Sequence, residues 1–155
     1  QMAAQTFATP LLAHAVTNVS LTANGFVFKI YRDHFGTIPV DVSGNSPQPK
    51  PTDPPGGEQP EVNAGSPTFP LDVVAAWTKN HRALTVAVLN PTDVDQSIKL
   101  NFSGVNLTGS GNLWRLPSTE ANGQNPDITH MPVNSVPETI MLPPFSVNIY
   151  DLSAK

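Results

Sequence analysis

The 155-residue chain contains no cysteine. Disulfides, cysteine–zinc centres and a thiol nucleophile are excluded, so stability has to come from the packed core. That is compatible with a secreted or periplasmic protein, the compartment expected here. Charge is scarce as well: 13% of residues are Asp, Glu, Lys or Arg, against a usual value of about a quarter. The 8 Lys and Arg residues are scattered and the formal net charge is -4, so the basic stripe that nucleic acid requires is missing. No apolar run approaches the roughly 18 residues of a membrane span. No basic-then-apolar leader opens the chain. The first residue is Gln1 rather than Met, and the expectation is a polypeptide that has been processed or trimmed.

Histidine pairs at metal-ligand spacing are also lacking. His14, His34, His81 and His130 stand apart, with no His-x-x-x-His among them, so no metal site is expected. There is no Gly-x-Ser-x-Gly elbow and no phosphate-cradling glycine loop. The four glutamates, Glu58, Glu61, Glu120 and Glu138, fall in Pro-rich or loop sequence. None stands at the end of an apolar strand, where a pocket would raise a carboxyl pKa for acid–base work. They read as solvated loop charges, and no catalytic residue is expected in this chain.

What the chain has is 39% hydrophobic residues, 17 prolines and 10 glycines. That mixture predicts short strands joined by turns. Residues 1–24 are small, apolar and divided by Pro10, with a short strand expected near Met2–Ala8. "GFVFKIYRDHFGTIPV" (25–40) then spaces Phe26, Val27, Ile30 and Tyr31 as a helix does, with Phe28 on its flank. Apolar residues on nearly all sides predict a helix over 25–35 that is covered on most of its faces. Gly36 stands where a C-terminal glycine cap belongs, and His34 in the last turn suits the helix dipole as a cation. Ile38 and Val40 alternate with Pro39 and Asp41, the start of an edge strand. Residues 44–70, rich in proline and poor in apolar anchors, read as an interdomain linker or a long surface loop.

After Pro70 the pattern becomes one of strands. "LDVVAAWTK" (71–79), "ALTVAVLN" (83–90), "SIKLNFSG" (97–104) and "NLWRLP" (112–117) follow at short intervals. "ETIMLPPFSVNIYDLS" (138–153) reads as two strands bent at Pro143-Pro144. Ile98, Leu100 and Phe102 face one way and Lys99, Asn101 and Ser103 the other. Phe145, Val147 and Ile149 oppose Ser146, Asn148 and Tyr150. Five or six short strands with half-buried faces predict an antiparallel β-sandwich. Trp77, Trp114, Tyr31 and Tyr150 could stack on sugar rings if exposed; for both tryptophans core packing is the better reading. Three sequons, at Asn18, Asn101 and Asn106, are candidate glycosylation sites in a host that glycosylates secreted proteins.

The order of "GFVFKIYRDHFGTIPV", "LDVVAAWT", "ALTVAVLNPT" and a closing "LPPFSVNIYDL" resembles the C-terminal end of the α-L-arabinofuranosidases of glycoside hydrolase family 51. The resemblance is best at 25–42, 71–91 and 140–153, and residues 44–70 and 118–137 match poorly. It implies that residues 1–43 are the last strand and helix of a (β/α)₈ barrel, 44–70 a linker or loop, and 71–155 a jelly-roll-like β-sandwich. A barrel takes about 250 residues, so the rest of it would lie outside these 155. The implied activity is retaining hydrolysis of α-L-arabinofuranosyl groups on hemicellulose or pectin, with both catalytic glutamates on earlier barrel strands. No cofactor is implied. Gln5, in "MAAQTF", takes the place of the family's arabinose-contacting glutamine, although Thr6 to Leu12 depart from the family pattern. The implied partners are the missing barrel segment, an arabinose-containing glycan and, through the sandwich, further copies in a homo-oligomer. The alternative is a non-catalytic carbohydrate-binding or structural β-sandwich with Trp114 or Tyr150 on the binding face.

Overall fold

The computed structural model describes residues 11–14, 18–46, 67–117 and 127–155. In chain order these form strands β1 (Leu11–His14) and β2 (Asn18–Leu21), helix α1 (Ala23–His34), and strands β3 (Ile38–Val40), β4 (Asp72–Trp77) and β5 (Ala83–Asn90). They continue through β6 (Gln96–Ile98), β7 (Leu107–Leu116), β8 (Thr129–Val133), β9 (Ile140–Leu142) and β10 (Ser146–Ala154). Six of the strands make one antiparallel sheet in the order β3-β4-β5-β10-β7-β8, while β6 pairs with β9 and β1 with β2. Both edge strands of the large sheet carry a proline, Pro39 in β3 and Pro132 in β8. Proline has no N–H to give to a ladder, so an edge is where it belongs.

The large sheet is covered on both faces. On one, Ile30 of α1 packs with Ala87, Leu116, Val147 and Ile149. On the other, Ile140 and Leu142 of β9 close over Val86, Val88, Leu113, Tyr150 and Leu152, with Ile98, Leu100 and Phe102 at the margin. The central strands β5 and β10 are therefore buried on both sides rather than half-buried. Their long apolar runs are what two covered faces require. The architecture is mainly β, a sandwich with one helix laid across its outer face.

Helix α1 begins two residues earlier than its apolar spacing predicts. Thr22 caps it, its Oγ1 accepting from the Gly25 N–H at 3.3 Å, and such a cap satisfies one of the free N–H groups of the first turn. The helix is not covered all round. Ile30 is fully buried, but Phe28 is 69% exposed, and Lys29 and Arg32 bond to Asp33 on the outer surface. Gly36 is not a left-handed cap either. Phe35 ends the helix in an extended conformation. A Cβ on Gly36 would lie 2.5 Å from the Trp77 carbonyl oxygen, so the glycine is needed for a close backbone approach. The Gly36 N–H donates at 2.8 Å to buried Thr85, whose hydroxyl donates at 2.8 Å to the Ala76 carbonyl.

β3 pairs antiparallel with β4, Ile38 opposite Trp77 and Val40 opposite Ala75. The described ends of the Pro-rich stretch meet beside this pair, the Ser46 N–H donating to the Pro67 carbonyl at 3.2 Å. Residues 46 and 67 are thus held together at one place beside the sheet.

Several strands differ from their sequence pattern. Of "SIKLNFSG" only Ser97 and Ile98 are strand, joined by Gln96 before them, because β9 offers three residues; continuing the register would set Asn101 against Pro137, which has no N–H. The inward set Ile98, Leu100 and Phe102 nevertheless still packs on the core. β7 starts at Leu107, five residues before "NLWRLP". Gly109 there has a positive φ of 84°, and the register against β10 shifts between Leu152 and Ala154, a bulge of the kind glycine marks. The β1–β2 hairpin and β8 had no sequence counterpart, and the strand expected at Met2–Ala8 lies outside the described residues.

Candidate functional site

Two places gather the side chains with chemical capacity. The first is an aromatic stack on the helix side of the sheet. The Trp114 ring, on β7, lies between His34 from the end of α1 and His130 from β8. Ring centroids are 3.7 Å apart with planes 9° from parallel on one side, and 4.2 Å apart at 21° on the other. His130 Nε2 donates to Asn112 Oδ1 at 2.8 Å, which fixes that imidazole in its plane. Burial holds the His34 pKa below its usual 6.5, with Lys29 and His130 acting in the same direction and Asp33 and Asp151 against it. The cation that would have suited the helix dipole is thus disfavoured, because covering the ring against Trp114 removes it from water. Asp151, mid-strand in β10, is pushed up by the same burial, which outweighs the pull of His34.

The second place is the turn Pro143-Pro144-Phe145 between β9 and β10, with the loop 91–95 beside it. Phe145 has a φ of 46° and is 55% exposed. It therefore does not continue the inward set of Val147 and Ile149; the strand begins only at Ser146, and the alternation applies from there. The turn is pinned from below. Buried Asn90 directs its Nδ2 at the carbonyls of Leu142, Pro143 and Val94, at 3.1, 2.9 and 2.8 Å. Asn90 Oδ1 accepts from the Thr92 N–H at 3.0 Å and its hydroxyl at 2.7 Å. The Ser146 hydroxyl donates to the Pro143 carbonyl at 2.7 Å, and the Phe145 N–H to the Thr92 carbonyl at 3.0 Å. Behind these, Arg115 Nε donates to Asn148 Oδ1 at 2.6 Å and Asn148 Nδ2 to Ser146 Oγ at 2.9 Å. Among the described residues no buried side-chain nitrogen or oxygen is without a partner, as burial in a low-dielectric core demands.

The remaining sequence candidates are dispersed. Gln5 lies outside the described residues, as do Glu58, Glu61 and Glu120. Asn18 begins strand β2. Asn101 and Asn106 are exposed beside the sheet, in the segment between β6 and β7. Glu138 is at the surface, 2.8 Å from Lys99. Asp33 is drawn down to about 2 by its bonds to Lys29 and Arg32, so the two displaced carboxylates take their shifts from cations and burial, not from a second carboxylate. Among the described residues no three His, Asp or Glu side chains are grouped to hold a metal. No described helix is long and apolar enough to cross a membrane. Tyr150 is 4% exposed and both faces of Trp114 are occupied, so neither ring offers a free surface to a sugar. Trp77 packs on the core with its ring 5.8 Å from that of His81. Phe145 is the aromatic that sequence reading missed. The signal was the Pro-Pro pair, which delays the strand and leaves the next residue in a turn.

No protein-family model matches the chain, and no curated protein does. Solved structures do. An arabinofuranosidase superposes on 93% of this chain and 31% of its own, at 17% identity and a TM-score of 0.68. An arabinose-bound α-L-arabinofuranosidase of family 51 superposes on 92% of this chain and 21% of its own, at 14% identity and a TM-score of 0.64. A β-porphyranase of glycoside hydrolase family 86 from the human gut bacterium Bacteroides plebeius covers 90% of this chain and 20% of its own, at 19% identity and a TM-score of 0.58. The chain thus spans a third or less of the length of each of these structures. Its structural neighbours are glycoside hydrolases, and in fold it is similar to the C-terminal part of the α-L-arabinofuranosidases of family 51.

Proposed function

We propose that this chain is the C-terminal part of a retaining glycoside hydrolase, an α-L-arabinofuranosidase acting on arabinose-containing hemicellulose or pectin. The observation that carries the reading is the extent of the structural likeness. It takes in 92–93% of the chain, too much for the sandwich strands alone. In this reading residues 1–43 supply the last strand and helix of a (β/α)₈ barrel, and α1 stands between barrel and sheet. Phe28, apolar and exposed on the helix flank, suits a surface that leans on further protein. Gln5 then falls at the C-terminal end of the last barrel strand, where barrel active sites are assembled, and contacts the arabinose. The nucleophile and the acid/base are carboxylates of the barrel portion: one attacks the anomeric carbon, and the other protonates the leaving oxygen and then activates water. The role of this chain is support, and the enzyme is exported to meet its polymer. The closed rings of Trp114 and Tyr150 count against the reading as a stand-alone sugar-binding sandwich on those residues. The full-length polypeptide, given p-nitrophenyl α-L-arabinofuranoside and methanol, should release the phenol and form the methyl glycoside of retained configuration. No release, or an inverted product, would count against the proposal.

A further inference from the structure

Phe145 presents a combination that packing alone does not account for. A bulky side chain in the left-handed region is an outlier that glycine would relieve. Here the conformation is held by hydrogen bonds from Asn90 and Ser146, each 1% exposed, and by the Phe145 N–H bond to Thr92. Strain maintained by its surroundings, with an aromatic ring turned to solvent, is a pattern of binding sites. Beside the turn stands loop 91–95, tied to it through Asn90 and through the Phe145 N–H bond to the Thr92 carbonyl. Its Val94 is 53% exposed and Asp93 and Asp95 are exposed on either side of it.

The position of this turn follows from the direction of α1. The helix ends at His34, which lies on Trp114, and Gly36 just beyond it is bonded to Thr85. Thr85 pairs with Asp151 and Trp114 with Ile149. One turn back, Tyr31 feels the charge of Asp72, which pairs with Leu89, itself opposite Val147. Running backwards, α1 therefore climbs toward the start of β10, and its N-terminus points to the end of the sheet where Phe145 sits. In a (β/α)₈ barrel each helix starts at the face that carries the active site.

We propose that Phe145, with Val94, Asp93 and Asp95 of the adjoining loop, binds the neutral polysaccharide chain that carries the arabinofuranosyl group, at the rim of the barrel mouth. The inference rests on the barrel reading given above for its location. The chemistry selects the ligand. The ring face is negatively polarised and meets the positively polarised C–H groups on the face of a pyranose. The two carboxylates accept from its hydroxyls, and loop 91–95 has no cation to hold an anionic sugar.

The test uses the full-length polypeptide, wild type, Phe145→Gly and Phe145→Trp, in native gels with and without soluble arabinoxylan. Glycine suits the φ of this position, so Phe145→Gly keeps the fold, and an undiminished thermal midpoint checks it. The expected result is retardation of the wild type by arabinoxylan. Phe145→Gly should bind roughly two- to tenfold more weakly, the range of one aromatic contact, and Phe145→Trp should be retarded like the wild type. Equal mobility of the wild type and Phe145→Gly in arabinoxylan, whether both are retarded or neither, overturns the proposal. Hydrolysis of p-nitrophenyl α-L-arabinofuranoside by the wild type reports separately on the glycosidase reading.

Discussion

Trp114 shows how far a single residue could be read ahead of the structure. Its neighbours in sequence placed it on a strand, and core packing was the better expectation. What covers it could not be read, because His34 and His130 come from elements 80 residues before it and 16 after it in the chain. The consequence is a pH dependence of stability. Burial lowers the His34 pKa below the model-peptide value of 6.5, so below that pH the unfolded chain binds a proton that the native chain resists. The unfolded state then carries more protons, and stability falls as the pH falls. Asp151 works with the opposite sign: its raised pKa costs stability as the pH rises through the carboxylate range. In urea titrations from about pH 7.5 to about pH 5 the wild type should lose midpoint concentration. His34→Phe, which keeps a flat ring on Trp114, should lose less. Parallel curves would mean that the His34 imidazole titrates as it does in the unfolded chain.

Among the elements, α1 and strands β3, β4, β5, β9 and β10 were legible, and β1, β2, β8 and the first half of β7 were not. The pattern of β5 gives its limits directly, since Ala83–Asn90 is bounded by a polar turn before it and a proline after it. The helix was legible from Phe26, Val27, Ile30 and Tyr31, which do face the sheet. Its outer face misled, because Phe28 is apolar for a surface that the described residues do not bury. The first half of β7 and the whole of β8 were hidden by residues that propensity assigns to turns: Gly109 and Gly111 in one, Pro132 in the other. A Cβ on Gly111 would run into the Asp151 carbonyl, so strand pairing dictated a residue that strand propensity disfavours. The packing of α1 is open to direct test. Ile30 is fully buried between helix and sheet, so Ile30→Ala should cost about 2–5 kcal/mol in urea denaturation. A loss below about 1 kcal/mol, as a surface change would give, would mean that the helix does not lean on the sheet as described.

At the scale of the whole molecule, the order of helix, sheet and closing hairpin is what made the likeness to the arabinofuranosidases legible. The site was far less so. Gln5 lies outside the described residues, Asn18, Asn101 and Asn106 do not converge, and Phe145 was counted into the alternation of a strand that begins only after it. The physical reason is that strand alternation says which way a side chain points only once the strand has begun, and Pro143-Pro144 moves that beginning. The central claim is that these 155 residues work as the last part of a barrel enzyme. It is tested most directly by the denatured mass of the polypeptide that carries this sequence in its source cells. The account predicts a single chain far above 16.5 kDa, long enough to add a barrel of about 250 residues. A polypeptide of 16.5 kDa and nothing larger would contradict it.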